Sequence, residues 1–209
     1  MIIPNVGDEN YTDTDDASIN YSVESVDSAY LLGESGEVAI SGILFDITDP
    51  VSSSDYDEIY CSNSNIWDIT KSTSCKTLSS FVTAIYNSTF TTGTKLTLGN
   101  TLSHFKVAAQ LNSAVSGLSG STPTFSWTKQ GGGGYSYQNN SFKLAFYNSS
   151  YGLITRIDCG NVASKTLSTA QWNAIKATGS PVYCCVETFQ TSWPVTGAYY
   201  SNLITIDIP

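Results

Sequence analysis

The chain is short of charge. Of its 209 residues only 13% are Asp, Glu, Lys or Arg, about half the share usual in soluble domains. It has one Met, one His and six Pro. No run of about 18 apolar residues exists that would make a spanning helix. Basic residues are missing altogether from residues 1–60, which hold fourteen acids and carry −14; the other 149 residues carry +5. The net charge of −9 argues against a nucleic-acid-binding face, which needs Lys and Arg to neutralise phosphates. The opening Met-Ile-Ile-Pro-Asn-Val-Gly-Asp-Glu lacks the basic start and apolar core of a secretory signal. No Gly-x-Ser-x-Gly elbow or Walker loop is present. Gly131–Gly134 has no Lys-Ser/Thr after it, so it reads as a loop and not as a phosphate cradle.

The cysteines exclude more than they suggest. There are five, Cys61, Cys75, Cys159, Cys184 and Cys185, so at least one has no partner within the chain. No Cys-x-x-Cys pair accompanies the single His104, which argues against zinc. Cys61 with Cys75, or Cys159 with one of the adjacent pair, could bridge. Neighbouring residues on a strand point to opposite faces, so only one of Cys184 and Cys185 can look into a given core. The simplest reading is a set of small buried hydrophobes kept reduced. His104, beside Phe105, reads as a hydrogen-bonded or half-buried histidine and not as a general base.

What is present is Ser, Thr, Asn, Tyr and Gly in short, punctuated runs. Residues 1–18 read as an acidic extended arm. Alternation predicts strands at 19–26 and 37–47, and residues 51–75 read as a polar loop region. Apolar residues at i, i+3, i+4 and i+7 predict helices over 78–86 and 102–115, with a short strand over 94–98 between two glycines. Ser116-Gly-Leu-Ser-Gly-Ser-Thr-Pro123 is the best boundary. Strands follow at 124–128, 141–147, 153–159, 165–167, 181–189 and 199–208, with a helical crossing at 168–175. The fold class expected is mainly β: an α+β domain over 19–118, then a β-sandwich over 119–209.

Two sets of residues are candidates for binding. Asp13, Asp15, Asp16 and Glu24 occupy positions one, three, four and twelve of an EF-hand-like spacing. Ala17 and Ser18 stand at positions five and six, where Ser18 replaces the turn glycine. The segment is read as an acidic surface turn with a loose hold on Ca²⁺, the only cofactor considered. Trp193, Tyr199 and Tyr200 place aromatics at one end of the expected sandwich, where their faces could stack on sugar rings or meet a partner. No catalytic set is found. Asn10, Asn20, Asn87, Asn139 and Asn148 each begin Asn-x-Ser/Thr, as chance allows in so polar a chain.

The second half resembles a fibronectin type III-like module. The likeness covers about 119–209. It rests on Pro123-x-Phe125-x-Trp127, the Phe-x-Leu-x-Phe-Tyr strand at 142–147, Thr-Leu-Ser-x-x-Gln-Trp at 166–172 and Thr-Gly-x-Tyr-Tyr-Ser-Asn at 196–202. The resemblance implies an immunoglobulin-like sandwich serving as a spacer, assembly surface or adhesive unit, as in secreted, cell-surface and phage structural proteins. The glycine run and the helical crossing depart from the simplest member. The expectation is a non-catalytic structural protein, best read as a phage virion component that decorates a head or attaches to a tail. It docks through its N-terminal part onto other structural proteins, as a homo-oligomer or repeated array, at the virion surface or outside the cell, without membrane insertion. The alternative is a fragment of a secreted bacterial surface protein whose second domain is adhesive or binds surface glycans.

Overall fold

The structure is a computed structural model that describes residues 10–12, 20–22, 37–48, 59–72, 78–130, 140–189 and 199–208. Among these residues it is an α+β fold, with five helices and antiparallel sheets. Strands β1 (Asn10–Thr12) and β2 (Asn20–Ser22) pair with each other. Helices α1 (Glu37–Asp46), α2 (Asn63–Ser72), α3 (Leu78–Asn87) and α4 (Thr92–His104) follow.

Three of these helices differ from the expectation. Residues 37–46 form α1, not a strand. Short apolar runs do not separate a buried strand from a buried helix by periodicity, and Ala39, Ile43, Leu44, Phe45 and Ile47 are all buried, as is Asp46. Gly42 lies directly against the Phe105 ring, where a Cβ would collide. Helix α2 lies in the stretch expected to be loop. The Ser62 hydroxyl accepts from the Asn65 amide at 3.3 Å and so caps it, while Ile66 and Ile69 turn into the core. Residues 94–98 are the middle of α4, whose cap is Thr91, accepting from the Thr94 amide at 3.1 Å. Helix α3 matches its predicted periodicity, burying Leu78, Phe81, Val82 and Ile85.

The helix expected to run on to 115 stops at His104. Lys106 has φ 58, the left-handed conformation that ends helices. Its amide bonds to Ser103 O at 3.1 Å, and the Val107 amide bonds to Leu102 O at 2.9 Å. These two bonds form a Schellman cap and turn the chain out of the helix.

Strands β3 (Gln110–Leu111), β4 (Thr124–Thr128) and β7 (Ser164–Thr166) form a three-stranded sheet in the order β3-β4-β7. The larger sheet has the order β10-β8-β5-β6, with β9 also on β8. It is built from β5 (Ser141–Tyr147), β6 (Leu153–Gly160), β8 (Val182–Phe189), β9 (Tyr199–Tyr200) and β10 (Ile204–Ile206). Helix α5 (Thr169–Lys176) has a complete capping box between Ser168 and Gln171 and buries Trp172 and Ile175. Gly131–Gly134 lies outside the described residues.

One apolar cluster joins both sheets and α5. Phe125 meets Phe146 edge-on at 5.3 Å between centroids, and Trp127 lies 5.9 Å from Phe142. A second cluster lies among α1–α4 and takes in Tyr199 from the far end of the chain. Ala109 and Leu111 already belong to the sheet cluster, ahead of the Gly/Ser stretch, which folds back so that Ser116 bridges to Thr124. The centres of β5 and β8 are buried on both faces. Leu144, Phe146, Cys184 and Val186 point into the sheet cluster; Ala145, Tyr147 and Cys185 point the other way, to Leu96 of α4. Cys184 and Cys185 therefore face opposite sides, as adjacent strand residues must.

Candidate functional site: a polar junction beneath helix α4

A set of interlocked polar groups lies where the larger sheet meets α3 and α4. The expected last strand breaks there into β9 and β10, and around the break only the Ser201 amide stays with β8, while the Tyr200, Asn202 and Leu203 amides find partners off the sheet. Four successive backbone amides are satisfied four ways. The Tyr200 amide donates to the Tyr86 hydroxyl at 3.2 Å, and the Ser201 amide to Val186 O at 2.8 Å. The Asn202 amide donates to Ser103 Oγ at 2.8 Å, and the Leu203 amide to Asn100 Oδ1 at 3.0 Å. Polar side chains on α3 and α4 thus do the work of a neighbouring strand.

The side chains of the same segment tie inward. Asn202 accepts from the Leu111 amide at 2.7 Å and donates to Leu111 O at 2.9 Å. Ser201 Oγ accepts from the Val186 amide at 2.8 Å. Ser103 Oγ, besides accepting from Asn202, donates to Ala109 O at 2.7 Å. Gly99 is what lets α4 come so close: a Cβ there would run into the Ser201 carbonyl.

Beside this seam is the one ion pair among the described residues. Arg156 Nε donates to Glu187 Oε1 at 2.6 Å; the Glu187 side chain is 4% exposed and that of Arg156 42%. Burial works against the Arg156 charge, but the hydrogen bond and charge of Glu187 outweigh it and raise the guanidinium pKa. Tyr200 is pushed up by burial and then by Glu187, which outweigh an opposing bond to Arg156. Burial likewise raises the Tyr147 and Tyr86 hydroxyls and the Cys185 thiol, with the Glu187 charge adding to each. These groups stay neutral, so Arg156 and Glu187 compensate each other's charge within the cluster.

The thiols here are poor nucleophiles. Cys61, Cys159, Cys184 and Cys185 are buried and unbridged. Burial lifts Cys61 to about 11 and also raises Cys159, Cys184 and Cys185, against the low thiolate pKa of reactive cysteines. Cys159 and Cys184 sit two strands apart, with β5 between them. That is about 10 Å, beyond the reach of a disulfide. Cys75 lies outside the described residues, and Cys61, which the sequence allowed to bridge with it, is free. His104 packs edge-on against Phe105 at 5.0 Å. Burial, with Lys106 nearby, lowers its pKa.

Asp13, Asp15, Asp16 and Glu24 lie outside the described residues, as does Trp193. Among the described residues no group of three or more His, Cys, Asp or Glu is gathered that could hold a metal ion, and no helix is long and apolar enough to cross a membrane. Tyr199 is 2% exposed and packs in the helical core. Tyr200 is half-buried, its ring 4.6 Å from that of Tyr86.

Sequence reasoning passed over Glu187, Arg156, Asn202, Asn100 and Ser103. A signal existed for the first two. Glu187 is the single charge in the apolar run 182–189, and Arg156 is the only arginine in the chain; a lone charge in a strand buried on both faces requires a partner. The other three are ordinary Asn and Ser in a chain full of both. Compared with known proteins, the chain matches no family model, no curated protein sequence and no solved structure.

Proposed function

We propose that the chain is a non-catalytic structural protein of an extracellular assembly, in particular a virion component that decorates a phage head or attaches to a tail. The observation that carries this reading is the junction itself. Its polar side chains are engaged in fastening α3, α4, β3 and the larger sheet to one another, and its ion pair is internally compensated. Such a junction makes a stiff block suited to bearing contacts. The raised thiols and the solitary histidine are consistent with that use.

Residues 119–209 are read as a fibronectin type III-like β-sandwich. Two antiparallel sheets sharing one apolar cluster support this, with Phe125 and Trp127 of one sheet against Phe146 and Phe142 of the other. The pairing of β3 with β4 brings in residues from before 119, a departure from a free-standing module. The acidic front of −14 beside a remainder of +5 supplies the attraction for docking to neighbouring structural proteins, over about a Debye length of 8 Å at physiological salt. Mass spectrometry of purified particles and culture fluid from the native source tests the reading. The chain is expected in the particle fraction in a fixed ratio to the main shell or tail protein. Recovery from the soluble cell fraction alone overturns it.

A further inference from the structure

The larger sheet ends on one side at β6, which is eight residues long against three for β10 on the other side. Among the described residues β6 pairs only with β5. Its outer edge therefore carries a row of backbone N–H and C=O groups with which no other described strand pairs. Natural edges are blunted with Lys, Pro or bulges. β6 has neither Lys nor Pro. The two irregularities in its pairing lie at Phe142/Lys143 and Phe146/Tyr147, leaving residues 155–158 in regular register between them. Leu153 at its start is 46% exposed and Val162 just past its end 44%.

The side chains of this regular stretch have a particular symmetry. Ile157 points into the sheet cluster. Arg156 and Asp158 flank it and project from the opposite face. Arg156 gives Nε to Glu187 yet keeps 42% of its side chain exposed. Asp158 is exposed and accepts from the Gly160 amide at 2.9 Å. When two copies of β6 lie antiparallel about a two-fold axis at Ile157, Arg156 of each copy stands opposite Asp158 of the other. One symmetric contact then makes two opposite-charge pairs. An axis at Arg156 sets Arg156 against Arg156, and one at Asp158 sets Asp158 against Asp158, both disfavoured. Charge therefore selects a single register.

We propose that β6 is a homotypic docking edge through which two copies of this chain join their larger sheets, antiparallel about Ile157. This names a partner for the assembly role proposed above and rests on that reading. Sedimentation equilibrium of the full chain tests it. The wild type is expected to dimerise at or below about 100 µM and to weaken with salt. Asp158→Lys, which sets like charges opposite Arg156, is expected to weaken the dimer by about tenfold or more, while Asp207→Lys on an exposed position beyond β10 leaves it unchanged. Asp158→Asn keeps an oxygen for the Gly160 amide and is expected to weaken the dimer by about threefold; it carries the test if Asp158→Lys does not fold. A dimer indifferent to both changes overturns the edge contact and leaves the assembly reading intact. So does a wild-type chain that stays monomeric at about 100 µM, because the particle measurement decides the assembly reading separately. β6 amides protected from hydrogen exchange only within native particles assign the edge to a different partner and also overturn the proposal.

Discussion

At the scale of residues, Arg156 and Glu187 differ in what their loss leaves behind. Glu187 is buried, with 4% of its side chain exposed, while Arg156 keeps 42% exposed. Arg156→Ala strands a buried carboxylate; it is expected to cost about 2–3 kcal/mol, below the range for a fully buried pair because the guanidinium is part-exposed. Glu187→Gln keeps an acceptor for Arg156 and is expected to cost about 1–2 kcal/mol. Urea unfolding at neutral pH distinguishes the two, and an equal or reversed order contradicts the assignment. His104 gives a pH signature. Its pKa is lowered by burial and then by Lys106, so on acidification the unfolded chain takes up the proton first. The stability due to neutral His104 is fully present above its ordinary value of 6.5 and is lost as pH falls through the lower folded value. As His104 is the only histidine, a His104→Gln variant is expected to lose less of its melting temperature than the wild type between about pH 7 and pH 5. Parallel curves for the two proteins contradict this.

At the scale of elements, α4 is defined by what lies against it. An exposed Gly inside a helix is improved by Ala, by up to about 1 kcal/mol. Gly99 should behave oppositely, because its Cβ would enter the Ser201 carbonyl. Gly99→Ala is expected to destabilise by about 3 kcal/mol or more in chemical unfolding; a neutral or stabilising outcome means that α4 does not seat on the β9–β10 connection. The same glycine shows why sequence reading failed here. Gly93 and Gly99 look like punctuation around a short strand, and Leu96 and Leu98 alternate like one. What decided the matter was the Thr91 cap and a close approach from residues about a hundred positions away, and neither leaves a local pattern. Helix α1 was hidden because it is apolar nearly all round. The end of α4 was hidden because a Lys at 106, not a Gly, takes the left-handed turn. Strands β4, β5, β6 and β8 were legible because aromatic and branched residues alternate between clear turn signals. Of the junction, only the lone charges at Arg156 and Glu187 could have been noticed.

At the scale of the whole molecule, the helical and sheet cores are joined by Leu96 of α4 against the larger sheet, by Tyr199 among the helices, and by a few directed bonds at the β9–β10 connection. Asn202 is central, bonding both backbone groups of Leu111 while its own amide reaches Ser103. Asn202→Ala leaves the Leu111 N–H and C=O without those partners and is expected to cost about 2–3 kcal/mol. The wild type is expected to unfold in one transition, with tyrosine and tryptophan fluorescence following the same curve as circular dichroism. Trp127 and Trp172 report on the sheet cluster. A wild-type chain whose tryptophan signal melts apart from its helical signal contradicts the coupling.

The placement of Tyr199 among the helices has a consequence for biosynthesis. Side chains from residues 39–108 close their core around a ring supplied some ninety positions later, and α3 and α4 hand their polar groups to residues 200–203. While the ribosome is still translating, the N-terminal helices emerge first, yet they lack the piece that completes them. Native closure of that half therefore waits until synthesis has passed Leu203. A polypeptide that stops short of Tyr199 is expected to leave this helical core unfilled and more open to proteolysis than the full chain.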